Sequence, residues 1–331
     1  MNTSLRVLRY VVAVAEKGQV TEAANSLGVS QPSVSSAMAD LEAAVGVQIF
    51  VRHHARGVTL TAAGEKVVRE ARLLLNHAED FFQNAEELGV DLKGEITVGC
   101  FQTLAVRFLP RLLSEFTRIH SGISVKLFEG DHEELLEMLL SGRSELVISY
   151  DFGIPMEVEA VALCELPPYV IIAADHRLAK RSSVHLRELE NEPFILMDLP
   201  HSKDYFAEIF RIAGTVQDIS FKSRSYELIR GLVAQGHGFA IQNAIPATRW
   251  TYDGSTVATL PILDPVPPVK ITLMRLRHHN VRPAVRAFAD FLHTEFGASG
   301  MFRPGSIQAP PVGRTRKKRS RKGKLSDGRS R

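Results

Sequence analysis

Cysteine is scarce in this chain, which holds two, Cys100 and Cys164, in 331 residues. A disulfide framework is excluded, and the scarcity suits a reducing compartment. The two read either as small buried hydrophobes or as a redox-sensing pair, set 64 positions apart. Long apolar runs are missing too, and none approaches the ~20 residues of a membrane span. The N-terminal stretch is apolar, but Arg6, Arg9, Glu16 and Lys17 break or flank it. Leu5, Leu8, Val12 and Ala15 recur there at helical spacing, so it reads as a first helix and not as a signal peptide. The expectation is a cytoplasmic protein with no membrane partner. Catalytic signatures are absent as well: there is no Gly-rich phosphate loop, HExxH or GxSxG elbow. The pairs His53-His54 and His278-His279 lack the spaced cysteine, histidine or carboxylate partners of a metal site. The reading is no enzyme, no metal and no cofactor.

Basic charge is confined to one place. Residues 314–331 carry ten Lys/Arg and one Asp, a local +9 against +3 for the whole chain, which leaves −6 for residues 1–313. The body is mildly acidic, so overall charge is no argument for nucleic-acid binding by the body.

The argument for DNA lies in residues 21–41, TEAANSLGVSQPSVSSAMADL. Thr21 and Ser30 are suited to cap helices, because their hydroxyls can accept from first-turn amides. Gly28 suits a tight interhelical turn, and Pro32 falls where a missing N–H costs least. Ala24 and Val34 supply a small helix contact and an apolar anchor. The pattern predicts a helix-turn-helix whose second helix runs from Gln31 to Glu42. That helix carries no cation, so base reading falls to Gln31, Ser33, Ser35 and Ser36. Arg52, His53, His54 and Arg56 precede Val58–Leu60, a short strand returning from a turn at Gly57. This reads as a wing whose cations contact phosphates.

The runs VSQPSVS (29–35) and LEAAVGVQIF (41–50), with Arg52 and TAAG (61–64), resemble the N-terminal domain of LysR-type transcriptional regulators. The resemblance is strong over about the first 90 residues, looser through residue 297 and absent beyond. It implies a multidomain fold: a mainly-α winged helix-turn-helix N-terminal domain (1–61), a long linker helix (62–90) and a two-lobed α/β effector domain (91–297). The DNA-binding set is then Thr21, Ser30, Gln31, Pro32, Ser33, Ser35, Ser36, Arg52, His53 and Arg56. Some members of this family sense peroxide through a cysteine pair, usually one closer in sequence.

In the linker, Val67, Ala71, Leu74, Ala78, Phe81, Ala85 and Leu88 fall at alternating intervals of four and three. That is an unbroken heptad seam of large and small layers, predicting a homodimer, or a homotetramer as the resemblance allows. Packing against its own globular domain is the other reading of the same stripe.

From Glu95 the grammar alternates short β-branched runs with helical stretches, the signature of parallel α/β units. The resemblance gives the effector domain the layout of type 2 periplasmic binding proteins. Its crossings fall near 164–168 and 264–268, with lobe I at 93–164 plus 269–297 and lobe II at 165–268. Ligands of open parallel sheets sit at the carboxyl ends of strands, beside helix N-termini. That rule selects Gln102, Thr103, Asp131, Tyr150, Pro200, His201, Ser202, Tyr205 and Asn243 as the effector-binding set. Hydroxyls joined to free amides at Thr103 and His201-Ser202 suit a carboxylate, so a small organic acid is the expected effector.

Residues 298–331 lack periodicity and read as a disordered basic tail, adding salt-sensitive phosphate contact or solubility alone. The expected function is a ligand-responsive, sequence-specific DNA-binding transcriptional regulator. Double-stranded promoter DNA, a small organic acid and RNA polymerase are its expected partners. The alternatives are a nucleoid-type architectural DNA binder with a vestigial effector pocket and, less favoured, a solute-binding protein.

Overall fold

The computed structural model describes residues 4–53, 57–86, 92–277 and 281–303, with backbone alone for residues 80 and 83–86. Arg56, His54, Leu88, the His278-His279 pair, the side chain of Ala85 and the tail beyond Arg303 lie outside the described residues.

Three helices and a hairpin form the first unit: α1 (Leu5–Lys17), α2 (Val20–Leu27), α3 (Gln31–Val45), β1 (Phe50–His53) and β2 (Gly57–Leu60). Gly28 ends α2 at φ 65°, a left-handed position that a Cβ would strain, and so turns the chain into α3. Ser30 caps α3 by accepting from the Ser33 amide, with Pro32 in the first turn. Ala24, Val34, Met38 and Leu41 close on Val11, Val14 and Ile49 in one buried cluster. The capping expectation for Thr21 fails, because α2 begins one residue earlier behind Gln19 and Thr21 lies exposed within its first turn. Once Thr21 is inside the helix, its hydroxyl no longer stands at the extended position from which a cap accepts first-turn amides.

The wing strands pair antiparallel from Phe50–Leu60 to His53–Gly57. Gly57 is thus the first residue of β2 and not the turn itself. A Cβ on it would stand 2.2 Å from the Gly18 carbonyl oxygen. That approach lets the Val58 amide donate to the same oxygen at 2.8 Å, fastening the wing to the end of α1.

Thr61 opens α4 (Ala62–Glu86), its Oγ1 accepting from the Gly64 amide at 2.8 Å. One stripe of this helix, Val68, Ala71 and Leu75, is buried within the chain. Beside it Leu74 and Phe81 are 52% and 66% exposed, and Phe82 is 59% exposed. The seam read from sequence is therefore divided. Val67 packs on the first unit's core and Ala71 is buried in the same chain, Ala78 is half-buried, and Leu74 and Phe81 stay bare.

The remaining chain makes two lobes. Lobe I holds β3 (Gly94–Phe101), α5 (Gln102–Ile119), β4 (Ile123–Gly130), α6 (His132–Leu140), β5 (Leu146–Tyr150), β6 (Val158–Leu166), β12 (Val269–Leu276) and α9 (Pro283–Phe296). Its sheet order is β4-β3-β5-β12-β6, parallel among the first three strands and antiparallel at β12. Lobe II holds β7 (Tyr169–Ala173), β8 (Phe194–Met197), α7 (Ser202–Ala213), β9 (Ile219–Ser223), α8 (Tyr226–Ala234), β10 (Ala240–Gln242) and β11 (Val257–Pro261). There β10-β7-β11 and the parallel pair β8-β9 are joined by a bridge between Phe194 and Phe239. The chain passes between lobes after Leu166 and again between Pro261 and Val269.

Three sequence expectations change. The β6 strand was not anticipated, because its half-exposed positions break the alternation that marks a strand. Residues 183–190, a run that reads as one of the helical stretches, form a single 3-10 turn, Leu186–Leu189. Ala298–Arg303 continue the fold, since Phe302 is buried edge-on against Phe108 at 4.9 Å. A single aromatic in a polar run leaves no periodicity to detect.

An exposed helix face and an interlobe cleft

Helix α3 divides its faces cleanly. Val34, Ala37, Met38 and Leu41 are buried, whereas Gln31, Pro32, Ser33 and Ser36 are exposed and Ser35 is half-buried. Ser30 and Ser33 hydroxyls share a 2.7 Å hydrogen bond, which holds that end of the helix in one arrangement. Arg52 is exposed on β1, and His53 beside it is tied by its ring to Thr59 Oγ1 at 2.8 Å. The Glu42 carboxylate accepts from the Ile49 and Phe50 amides at 2.7 and 3.0 Å, fixing the wing relative to α3.

The cleft lies where the carboxyl ends of β3, β5, β8 and β10 meet. Its free space is small, about 40 Å³, because the facing side chains stand close. Lobe I contributes Phe101, Thr103, Tyr150, Phe152 and Val269; lobe II contributes Met197, Ser202, Tyr205, Phe206, Tyr226, Ile241, Gln242, Asn243 and Ala244. Rings run across it from lobe to lobe: Phe101–Tyr150 at 5.0 Å, Tyr150–Phe152 at 5.8 Å, Phe152–Tyr205 at 5.9 Å and Tyr205–Phe206 at 5.4 Å. No lining residue is ionised at neutral pH.

Most of the polar groups are engaged. Tyr205 donates to the Pro267 carbonyl at 3.2 Å and accepts from Asn243, whose Nδ2 also donates to the Leu166 carbonyl. These bonds fasten both crossings to the cleft floor. Burial pushes the Tyr205 phenol up to about 12, against the opposing hydrogen bond from Asn243. Tyr226 donates to the Ala244 carbonyl, and Thr103 and Tyr150 hydroxyls share a 3.3 Å bond. Burial raises the phenols of Tyr150 and Tyr226 as well, so all three stay neutral. Gln242 differs: it is 4% exposed, and neither its amide nitrogen nor its oxygen has a hydrogen-bond partner.

Of the residues selected from sequence, Thr103, Tyr150, Ser202, Tyr205 and Asn243 line this space, while Gln102, Asp131, Pro200 and His201 do not. Asp131 is the N-cap of α6 in a reciprocal capping box with Glu134. Its second oxygen accepts from Arg224 of lobe II at 2.6 Å, so it clasps the lobes together. His201 precedes α7 at φ 64°, strained backbone that no other non-glycine among the described residues adopts. Its ring stacks on Phe152 at 6.1 Å and meets His132 of lobe I edge-on at 5.3 Å. Sequence reasoning missed Phe101, Phe152, Tyr226 and Gln242. Gln242 alone had a signal, being the one polar side chain in the strand run FAIQ.

Helix α6 runs from the Asp131–Arg224 clasp between the lobes to the linker. Its N-terminal end carries Asp131 and His132, and its C-terminal carbonyls, Leu140 and Ser141, accept from Arg69 and Arg72 of α4 at 3.0 and 2.8 Å. Arg282, 4% exposed, pairs bidentately with Glu145 at 2.7 Å and also donates to the Asn76 carbonyl of α4. Arg72 in turn lies 3.6 Å from Glu16 of α1.

Two family models match this chain: a bacterial regulatory helix-turn-helix protein of the lysR family over residues 5–65, and a LysR substrate binding domain over residues 90–297. An uncharacterized HTH-type transcriptional regulator of Escherichia coli, YnfL, is 30% identical over 87% of this chain and 97% of its own length. The crystal structure of HinK, a LysR family transcriptional regulator from Pseudomonas aeruginosa, is 34% identical with a TM-score of 0.61, covering 89% of this chain and 99% of that one. Full-length CbnR, solved in complex with its target DNA, is 27% identical with a TM-score of 0.55 over 87% of this chain and 98% of its own.

Proposed function

This chain belongs to the LysR family of transcriptional regulators, and from that premise we propose that it binds promoter DNA through α3 and the wing and reports a small organic acid held in the interlobe cleft. DNA binding and an effector domain come with the family; the residues and the ligand are our reading. The observation that carries it is the pairing of one exposed polar face on α3 with one enclosed polar-aromatic cleft, connected through α6 and α4. Gln31, Ser33 and Ser36 face outward to read bases, Ser35 sits at the edge of that face, and Arg52 positions the backbone. An acid is supported by Thr103 and Ser202, which line the cleft in the first turns of α5 and α7, where the helix end favours negative charge. Closure on it would move α6, whose far end is gripped by Arg69 and Arg72, and so bias the linker. The bare Leu74 and Phe81 on α4 support pairing with a second copy, as a dimer or tetramer in the cytoplasm, with RNA polymerase as a further partner.

A thiol switch is disfavoured. Cys100 on β3 and Cys164 on β6 are separated by three strand spacings, roughly 14 Å, beyond disulfide reach. Burial pushes Cys164 up to about 12 and Cys100 well above its usual value, so neither forms a ready thiolate.

Footprinting of the full-length protein on DNA flanking its own gene tests this reading. The expected result is a discrete pair of protected half-sites whose protection changes with the effector, and loss of that change in Thr103→Val with unliganded binding intact. A diffuse footprint favours the architectural binder instead. No preference over scrambled duplex removes the proposal.

A further inference from the structure

We propose that Gln242 is the specificity determinant of the cleft, and that the effector presents to it a neighbouring hydrogen-bond donor and acceptor, as an amide or lactam edge does, beside a flat ring. This rests on the reading of the cleft as the effector site.

Gln242 ends β10, where its backbone position is fixed by antiparallel pairing with Tyr169 of β7. Its carboxamide lines the cleft, is 4% exposed, and leaves both the nitrogen and the oxygen without a hydrogen-bond partner. A buried polar group in that condition is costly unless something else satisfies it, and a primary amide asks for a donor and an acceptor side by side. Among the other polar side chains of the wall, Asn243, Tyr205 and Tyr226 are tied to main-chain carbonyls, Thr103 and Tyr150 are bonded to each other, and Ser202 offers a single hydroxyl and no amide. Phe101, Tyr150, Phe152 and Tyr205 offer ring faces and edges that suit a planar apolar body. A carboxylate alone cannot satisfy Gln242, because it accepts and never donates. The acid group therefore belongs at the first turns of α5 and α7, and the amide-type edge belongs at Gln242. The walls stand close, so a ring enters as the lobes part and the Arg224–Asp131 clasp closes behind it.

The ring compounds that separate the two contributions are benzoate, 4-methylbenzoate, benzamide and 4-carbamoylbenzoate, with the 3-isomers of the disubstituted pair and 4-amidinobenzoate as a probe that only donates. Affinities are measured by calorimetry on the full-length protein and on Gln242→Met and Gln242→Glu. Wild type is expected to bind the better carbamoylbenzoate isomer about tenfold or more tighter than its methyl counterpart. Gln242→Met should erase that difference, and Gln242→Glu, an acceptor alone, should reverse the preference toward 4-amidinobenzoate. Without ligand, Gln242→Met should melt at or above the wild-type temperature, because it removes an unsatisfied amide while keeping the shape. A fall of several degrees would mean that Gln242 has a structural partner and would overturn the inference. Equal affinity for the methyl and carbamoyl compounds overturns it too, while benzoate binding that Thr103→Val weakens leaves the cleft reading standing. Preference for benzamide over carbamoylbenzoate keeps Gln242 and removes the acid. Absence of binding by every compound removes both.

Discussion

At α3 the polar side chains stand in water, on one face of a helix whose other face is packed; in the cleft they are withdrawn from water among rings. Groups of the first kind give up little on meeting DNA, so their contacts are individually modest, and the phosphate part fades with salt. Groups of the second kind are already desolvated. Each hydrogen bond there is decided by fit, and a mismatched ligand leaves a buried group unpaired. On the proposed reading, the same residue types, glutamine and serine, serve base reading in water at one end and ligand discrimination in a buried cleft at the other. Between them, α4 and α6 are held by arginine-to-carbonyl bonds that belong to neither site.

The sharpest way to break this comparison is Val34→Asp, which places an unpaired carboxylate in the fully buried contact of α2 and α3. The expected cost is several kcal/mol, with DNA binding abolished in mobility-shift assays and ligand binding at the cleft retained. Loss of both would show that the two units do not fold separately. Next in size, Gln31→Ala or Ser33→Ala should lower discrimination between operator and mismatched sites by about 1–3 kcal/mol, read from competition binding. Arg52→Ala should instead weaken all duplexes alike and reduce the salt slope by about one. Equal losses on operator and random DNA for all three variants would end the distinction between reading and positioning.

The smallest effect concerns His132, buried at the N-terminus of α6 and hydrogen-bonded through Nδ1 to Ser149. Burial first, and His201 second, hold its imidazole below the ordinary value, against opposing contributions from the Phe152 main chain and Asp131. The unfolded chain then binds this proton more readily, so His132 costs nothing above about pH 6.5 and destabilises as pH falls below it. Denaturant titrations should show the wild type losing stability, as pH falls below about 6.5, more steeply than His132→Gln. Identical slopes would assign the acid sensitivity elsewhere.

Neighbouring residues carried what was readable in advance. The turn at Gly28, the Ser30 cap, the anchor Val34 and the heptad spacing of α4 lie within a few residues of one another, and local geometry makes each recognisable. Thr103, Tyr150, Ser202 and Asn243 were accessible because strand ends and helix starts leave local marks. Asp131 and His201 carry the same marks, yet the lobes engage them with Arg224 and His132. The seam on α4 was visible as a stripe, but nothing in its spacing said that Ala71 would be buried in its own chain while Leu74 and Phe81 stayed bare.

Amino-acid order alone settled the family, the helix-turn-helix and the alternating α/β grammar, because those rest on short-range sterics, capping and periodicity. Which side chains face one another across the cleft, and which amide among them is left without a partner, was decided only when distant segments, such as those of Thr103 and Gln242, were packed together. Burial and unmet hydrogen bonds are properties of an enclosed space, and no stretch of sequence encloses one by itself.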